Sequence, residues 1–362
     1  MVVESSGCAV RPARGVAGVT AYHVPKSENT VDLWLDGNEG LAPPAELFDM
    51  FARLGPDTLR RYPRTQPLEA QLAQRFSVEP RRVLVTAGAD DALDRACRAA
   101  LGPGRVLSLP VPTFEMLERY PPLVGAEVLP IPWPAGPYPT EAVLATVSQQ
   151  TGAIAVVSPN NPTGAVATAE DLARLSAGAP HALLIVDLAY TEFADEDLTD
   201  AALRLPNAVA IRSFSKAWGL AGLRVGYAIG PRQIIDWLRA AGSPYPTSGL
   251  SLALAAGQLK SGTDRLRTFI QHVRREREEL YFLLKARGAD PLPSQGNFVL
   301  ARFRDAGRVR DGLAEAGIAV RCFPARLGLE SSLRITCPGD ERVFARLCAA
   351  LNAVYTAAAS AF

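Results

Sequence analysis

The chain has 362 residues, is 48% hydrophobic, and carries a formal net charge of +1 from 38 basic and 37 acidic residues, with no long run of either sign. That balance gives no electrostatic basis for binding nucleic acid or a membrane surface, and the length suits about two domains around a sizeable core. The partners expected are small molecules or copies of the chain itself.

The N-terminal stretch MVVESSGCAVRPARG lacks the apolar core of a signal peptide, and no apolar run is long enough to span a bilayer. Five cysteines are scattered without a C-x-x-C pair or a nearby His at metal-ligand spacing, so they read as reduced thiols, with no metal expected. A cytoplasmic protein is the expectation.

From Arg81 to Gly230, short apolar runs recur as RRVLVT, GRVLSLP, AEVLPIP, AIAVVSP, ALLIVD, NAVAIRS and LRVGYAIG. Several are apolar throughout, as strands buried on both faces of a mainly parallel sheet are. Between them lie the helical patterns DDALDRACRAAL, FEMLERYPPLV, EAVLATVSQQ and AEDLARLSA. The alternation predicts an α/β unit with a mainly parallel seven-stranded sheet between helical layers. After Ala241, GSPYPTSGLS reads as a turn and a charged amphipathic helix follows from Asp264 to Arg287. NFVLARF, VRDGLAEAG, IAVRCF and LRITCP then suggest a smaller α+β unit, and LCAALNAVYTAAASAF a terminal helix. The expected division is an arm over 1–30, a large domain over 31–245 and a small domain over 246–362.

Lysine occurs only at Lys26, Lys216, Lys260 and Lys285, while arginine carries most of the positive charge. An amine can shed its proton when its surroundings disfavour charge, whereas a guanidinium cannot, and only a neutral amine condenses with an aldehyde. Lys216 stands in SFSKAWGLAGLRVGYAIG, where Ser213, Ser215 and Arg224 offer two hydroxyls and a permanent cation suited to a phosphate dianion. A second anion site is suggested by TAGADDAL, where a strand ends at Thr86 and a helix opens at Asp90, with Gly88 and Ala89 between them. SPNNPTG is a rigid turn at a strand end that aims Asn161 into the crevice where such sheets bind ligands. In ALLIVDLAYTEF, Asp187 ends a buried apolar strand and therefore needs a cationic partner, either a core arginine or a protonated pyridine nitrogen. Tyr190, three residues on, could reach that ring's phenolate oxygen.

In their order, AYHVP, LDGNEG, RRYP, TAGADDAL, VPTF, SPNNPTG, VDLAYTEF, SFSKAWGLAGLRVGY, PSQGNFVL, AVRCF and LRIT resemble fold-type I pyridoxal-phosphate aminotransferases, and most closely their histidinol-phosphate aminotransferase branch. The resemblance implies that Lys216 holds pyridoxal 5′-phosphate as a Schiff base and then moves a proton between the substrate Cα and the cofactor C4′. It implies that Asp187 pairs with the pyridine nitrogen, that Asn161 and Tyr190 bond the phenolate oxygen, and that Phe114 stacks on the ring. Ala89, Asp90, Ser213, Ser215 and Arg224 would hold the phosphate, and Tyr62 would reach the phosphate in a neighbouring subunit, making the sites shared in a homodimer. Arg334, Arg321, Tyr22 and Asn38 correspond to substrate-binding positions.

Two departures bear on the substrate. NEGLAPPAE is shorter than the family's Asn-Glu-Asn-Pro segment with its Gly-Pro continuation, and ITCPGD differs from the usual ending after the arginine. The reaction expected is transfer of the amino group of L-histidinol phosphate to 2-oxoglutarate. A transaminase for aromatic or other amino acids is the alternative, followed by a phosphoamino-acid decarboxylase of similar fold. A cofactor-sensing regulatory domain is disfavoured because no DNA-binding segment is attached and Lys216, Asp187 and Arg224 are all present.

Overall fold

The computed structural model describes residues 10–17, 19 and 30–359. Its first elements are β1 (Leu33–Leu35), α1 (Ala45–Ala52), α2 (Asp57–Arg60) and α3 (Gln66–Arg75). The next stretch holds β2 (Val83–Thr86), α4 (Gly88–Ala100), β3 (Val106–Val111), α5 (Met116–Leu123), β4 (Glu127–Pro132), α6 (Thr140–Ala145), β5 (Thr151–Val157) and α7 (Ala169–Gly178). It continues through β6 (Leu183–Asp187), α8 (Thr199–Leu203), β7 (Ala208–Ser213), β8 (Gly226–Ile229) and α9 (Arg232–Ala240). The chain then forms α10 (Gly249–Ser261), α11 (Thr263–Ala286), β9 (Asp290–Pro291), β10 (Phe298–Arg302), α12 (Ala306–Glu315), β11 (Ile318–Cys322), β12 (Ser332–Thr336) and α13 (Glu341–Ala359).

The seven expected strands form one sheet in the order β2-β8-β7-β6-β5-β3-β4, in which β8 alone runs against its neighbours. Side chains alternate between its faces with the strand period of two. Ala153, Ala155, Val157, Leu183, Ile185, Val209 and Ile211 pack with α4, α5 and α9. Ile154, Val156, Leu184, Val186, Ala208 and Ala210 pack with α6, α7 and α8 on the other face. This gives the three-layer αβα arrangement and explains the unbroken apolar runs. The same parity puts Asp187 and Ser213, at the strand ends, on the face of α4.

A five-stranded sheet, β1-β11-β12-β10-β9, belongs to the smaller unit. The expected division at residue 245 assigned Leu33–Leu35 to the large domain, whereas β1 pairs in parallel with β11 and extends the small sheet. A three-residue strand carries no alternation that sequence could reveal; its place is set by pairing far along the chain. Helix α10 likewise begins within the segment read as a turn, with Ser248 accepting a hydrogen bond from the Ser251 N–H as its N-cap.

Candidate active site

Chain order reverses between β3, whose next strand lies on one side, and β5, whose next strand lies on the other, which makes the carboxyl end of the sheet the expected binding crevice. A cavity of about 810 Å³ opens there. Its wall includes Ala89, Asp90, Phe114, Asn161, Asp187, Tyr190, Ser213, Ser215, Lys216 and Arg224 from the large unit, and Arg321 and Arg334 from the small sheet. Thus most sequence-derived candidates converge although they are scattered over the chain.

Lys216 follows β7, and its Nζ donates to the Gly37 carbonyl at 2.9 Å while lying 5.6 Å from the centre of the Tyr190 ring. The segment before α1 is pressed against it: a Cβ at Gly40 would fall 1.9 Å from the Lys216 carbonyl oxygen. Glycine at position 40 therefore permits a backbone contact that a side chain would block.

Asp187 is 4% exposed, and its Oδ1 accepts the Ala189 N–H at 3.0 Å. Burial pushes its carboxyl up to about 7; the Ala189 N–H and the charge of Lys216 pull the other way without offsetting it, and Asp90 adds repulsion. A carboxylate in this position calls for an adjacent cation, and a protonated pyridine nitrogen supplies one.

The anion cradle lies at the start of α4. Gly88 has φ +81, and a Cβ there would come within 2.6 Å of Arg224 Nη2, so glycine admits the guanidinium to the helix N-terminus. Arg224 itself is left-handed at φ 52, a conformation unfavourable for a side chain of this size and the kind of backbone strain found at ligand clamps. Its Nη2 donates to Asp90 Oδ2 at 3.0 Å. The Ser213 Oγ accepts the Ser215 N–H at 2.9 Å, so both serines are held at the cavity wall. The helix begins two residues before the expected Asp90, and Asp91, not Asp90, bonds the Ala87 N–H.

In the SPNNPTG turn the first asparagine is the builder. Asn160 is fully buried, donates to the Pro112 carbonyl (2.9 Å) and Thr163 Oγ1 (2.8 Å), and accepts from Thr113 Oγ1 (2.6 Å). Its neighbour Asn161 is thereby turned into the cavity, where Arg334 Nη1 donates to its Oδ1 at 2.6 Å. Arg334 also donates to the Asp36 carbonyl and lies 5.4 Å above the Phe298 ring.

Three candidates do not line this cavity among the described residues, and of these Asn38 alone departs from its expected place. Asn38, expected to contact substrate, is fully buried and absent from the cavity wall; with φ 53 its amide turns behind Tyr190, at 3.0 Å from the phenol oxygen, and meets Thr336 Oγ1 at 2.8 Å. Tyr62 is 76% exposed and stacks on Tyr245 with ring centres 4.5 Å apart, away from this chain's own cavity. Tyr22 lies outside the described residues. Sequence reading missed Glu115, which follows Phe114, lines the cavity and pairs with Arg321 at 3.3 Å. No motif marks it; the signal is a carboxylate beside an expected ring-stacking residue. Cys97, Cys322, Cys337 and Cys348 are free thiols, and the described residues contain no cluster of three metal-ligating side chains.

A lysine facing a buried carboxylate, with a helix N-terminus and an arginine at the carboxyl end of the same α/β sheet, is a set suited to a phosphorylated aldehyde cofactor. The chain belongs to the aminotransferase class I and II family, which it matches over residues 36–351. It is a pyridoxal-phosphate-dependent aminotransferase of fold type I. It is 35% identical over 277 residues to a histidinol-phosphate aminotransferase of a Thermoanaerobacter species, covering 76% of this chain and 78% of that one. It is 34% identical over 348 residues to a histidinol-phosphate aminotransferase of Aromatoleum aromaticum, covering 93% and 95%. Among solved structures it resembles histidinol-phosphate aminotransferase from Sinorhizobium meliloti in complex with pyridoxal-5′-phosphate, with a TM-score of 0.82, 24% identity, and coverage of 91% and 92%.

Proposed function

We propose that the chain transfers the amino group of L-histidinol phosphate to 2-oxoglutarate. The observation carrying this reading is the pairing of Arg321 with Arg334 in register on β11 and β12, both at the cavity wall, because two guanidiniums suit a phosphate monoester better than a lone carboxylate does. The relatives bearing the histidinol-phosphate aminotransferase name support it.

When bound, pyridoxal phosphate supplies an aldehyde carbon for the amine and a ring that accepts the electron pair released at the substrate Cα. Lys216 holds the aldehyde and then, once displaced by the substrate amine, takes the Cα proton and returns it at C4′. Asp187 keeps a proton on the ring nitrogen. Asn161 and Tyr190 would bond the phenolic oxygen, and Phe114 would pack on the ring. The backbone N–H groups of Ala89 and Asp90, with Ser213, Ser215 and Arg224, hold the phosphate. Arg321 and Arg334 take the anionic end of the substrate, with Tyr22 expected beside them.

The working unit we propose is a cytoplasmic homodimer in which Tyr62 of each subunit reaches the other's cofactor phosphate. The exposed aromatic pair Tyr62 and Tyr245, with Leu59 74% exposed beside them in sequence, supports a covered face there. No helix among the described residues is long and apolar enough to cross a membrane.

A second reading draws on Glu115. Its ion pair with Arg321 leaves Arg334 as the principal carboxylate holder, which favours aromatic or other amino acids as donors. Purified holoenzyme assayed with 2-oxoglutarate against histidinol phosphate, phenylalanine, tyrosine and other donors separates the two. Preference for histidinol phosphate supports the first reading; indifference to it with good turnover of phenylalanine overturns it.

A further inference from the structure

Glu115 stands at the N-cap of α5, yet its side chain makes no capping bond to that helix. It crosses the cavity instead: a carboxylate oxygen lies 3.3 Å from Arg321 Nη2, and the two side chains are 28% and 12% exposed. Arg321 is the register partner of Arg334, so two permanent cations leave adjacent strands on one face and repel. The carboxylate of Glu115 offsets that repulsion while the cavity holds no anion. It also occupies the guanidinium that an anionic substrate end would use.

The pair is not the one tie between α5 and the β11–β12 segment, because Glu118, one turn along the helix, pairs with Arg326 in the loop between those strands. Loss of the Glu115 charge therefore leaves α5 tied to the loop that follows β11.

We propose that Glu115 is a specificity-determining residue whose carboxylate competes with the anionic end of the substrate for Arg321. The inference rests on the reading of Arg321 and Arg334 as the holders of that anionic end. An entering phosphate or distal carboxylate must displace Glu115 or share the guanidinium with it, whereas a donor with an apolar end need do neither. Glu115 thus lowers the affinity for anion-tailed substrates selectively and narrows the gap between them and apolar ones.

The test uses holoenzyme of wild type, Glu115→Gln, Arg321→Ala and the double variant, with Glu115→Ala as a second neutral replacement. Inorganic phosphate and 2-oxoglutarate are titrated by calorimetry, and KM and kcat are measured for histidinol phosphate and phenylalanine. Removing the competing charge is expected to tighten phosphate and 2-oxoglutarate, and to lower KM for histidinol phosphate, by about two- to five-fold, the span of a partly exposed ion pair. The change for phenylalanine is smaller, and in the Arg321→Ala background the gain disappears. Weaker or unaltered phosphate binding in both neutral variants, or the same gain without Arg321, overturns the proposal. If wild type ignores histidinol phosphate, the proposed donor fails, while the phosphate and 2-oxoglutarate titrations still decide the role of Glu115.

Discussion

Arg321 and Arg334 stand directly opposite one another on β11 and β12, and both reach the wall of the one cavity that also holds Lys216. Cross-strand partners share a face of a sheet, so this spacing follows from register and not from loop conformation. The relation connects strand pairing to substrate choice.

Arg321→Ala is accordingly expected to raise KM for histidinol phosphate by about ten-fold or more, the cost of a lost hydrogen bond to a charged group. KM for phenylalanine should rise less, since Arg334 can meet its carboxylate. Steady-state kinetics with both donors check this, and an unchanged ratio of kcat/KM between them removes Arg321 from substrate recognition. Part of the loss comes from Glu115, which is left without its partner beside the substrate.

Among the described residues, Lys216 is the lysine that lines the cavity, its amine held at 2.9 Å by the Gly37 carbonyl. Borohydride reduction of the holoenzyme followed by peptide mapping is expected to label it. Label at Lys26, Lys260 or Lys285 would overturn the assignment.

The large sheet was legible because burial on both faces leaves continuous apolar runs such as Leu183–Val186, bounded by the polar residues that line the site. Asp187 was legible because a carboxylate that ends a buried apolar strand needs a cation to face, whereas Asn161 was read from the rigid SPNNPTG turn and Arg224 from its place beside Lys216 in the sequence. Asn38 was misread because its left-handed backbone, φ 53, turns the side chain behind the wall, and sequence does not display that. Glu115 was invisible because its meaning depends on Arg321, and the two meet only through packing between α5 and the small sheet.

Asn38 is a positioning residue for Tyr190. Its side chain links the phenol to Thr336 on β12, and its carbonyl receives the Asn297 amide at 3.3 Å. Asn38→Ala removes the amide that meets the buried Tyr190 phenol, while the position-38 carbonyl stays and Thr336 keeps the Leu35 carbonyl, and is expected to cost about 1–3 kcal/mol of stability. In a denaturation cycle with Tyr190→Phe the two losses should be less than additive, because both remove one link. Strict additivity would show that Asn38 acts elsewhere.

Tyr62→Phe is expected to weaken cofactor retention by about 1–3 kcal/mol while leaving the chemistry in place, since it deletes one of several phosphate contacts. The dissociation constant for pyridoxal phosphate, measured beside the sedimentation state, checks this. Undiminished retention, or a fully active monomer, contradicts a site shared between subunits.

Asp187 yields a prediction about pH that needs no turnover. In the unfolded chain its carboxyl ionises at its ordinary value of 3.8, but in the folded chain burial pushes it up to about 7, so between those values the folded protein retains a proton the unfolded chain has released. Stability therefore falls as pH rises through that window, and the loss is complete once the folded group ionises. The cofactor-free wild type is expected to lose stability relative to Asp187→Asn over this range, by a few kcal/mol on the order set by the shift. Other buried acids such as Glu276, also raised to about 7, contribute equally to both proteins and cancel in the difference. A pH-independent difference would mean that Asp187 is not held in the protonated form. In the proposed arrangement, the ring nitrogen of bound pyridoxal phosphate would bring the cation that burial withholds, and the carboxylate would be stabilised in place. The dependence should then flatten in wild type, while Asp187→Asn keeps its cofactor but loses nearly all turnover, because an amide cannot hold the proton on that nitrogen. Turnover at the wild-type rate in the variant would make Asp187 a structural carboxylate.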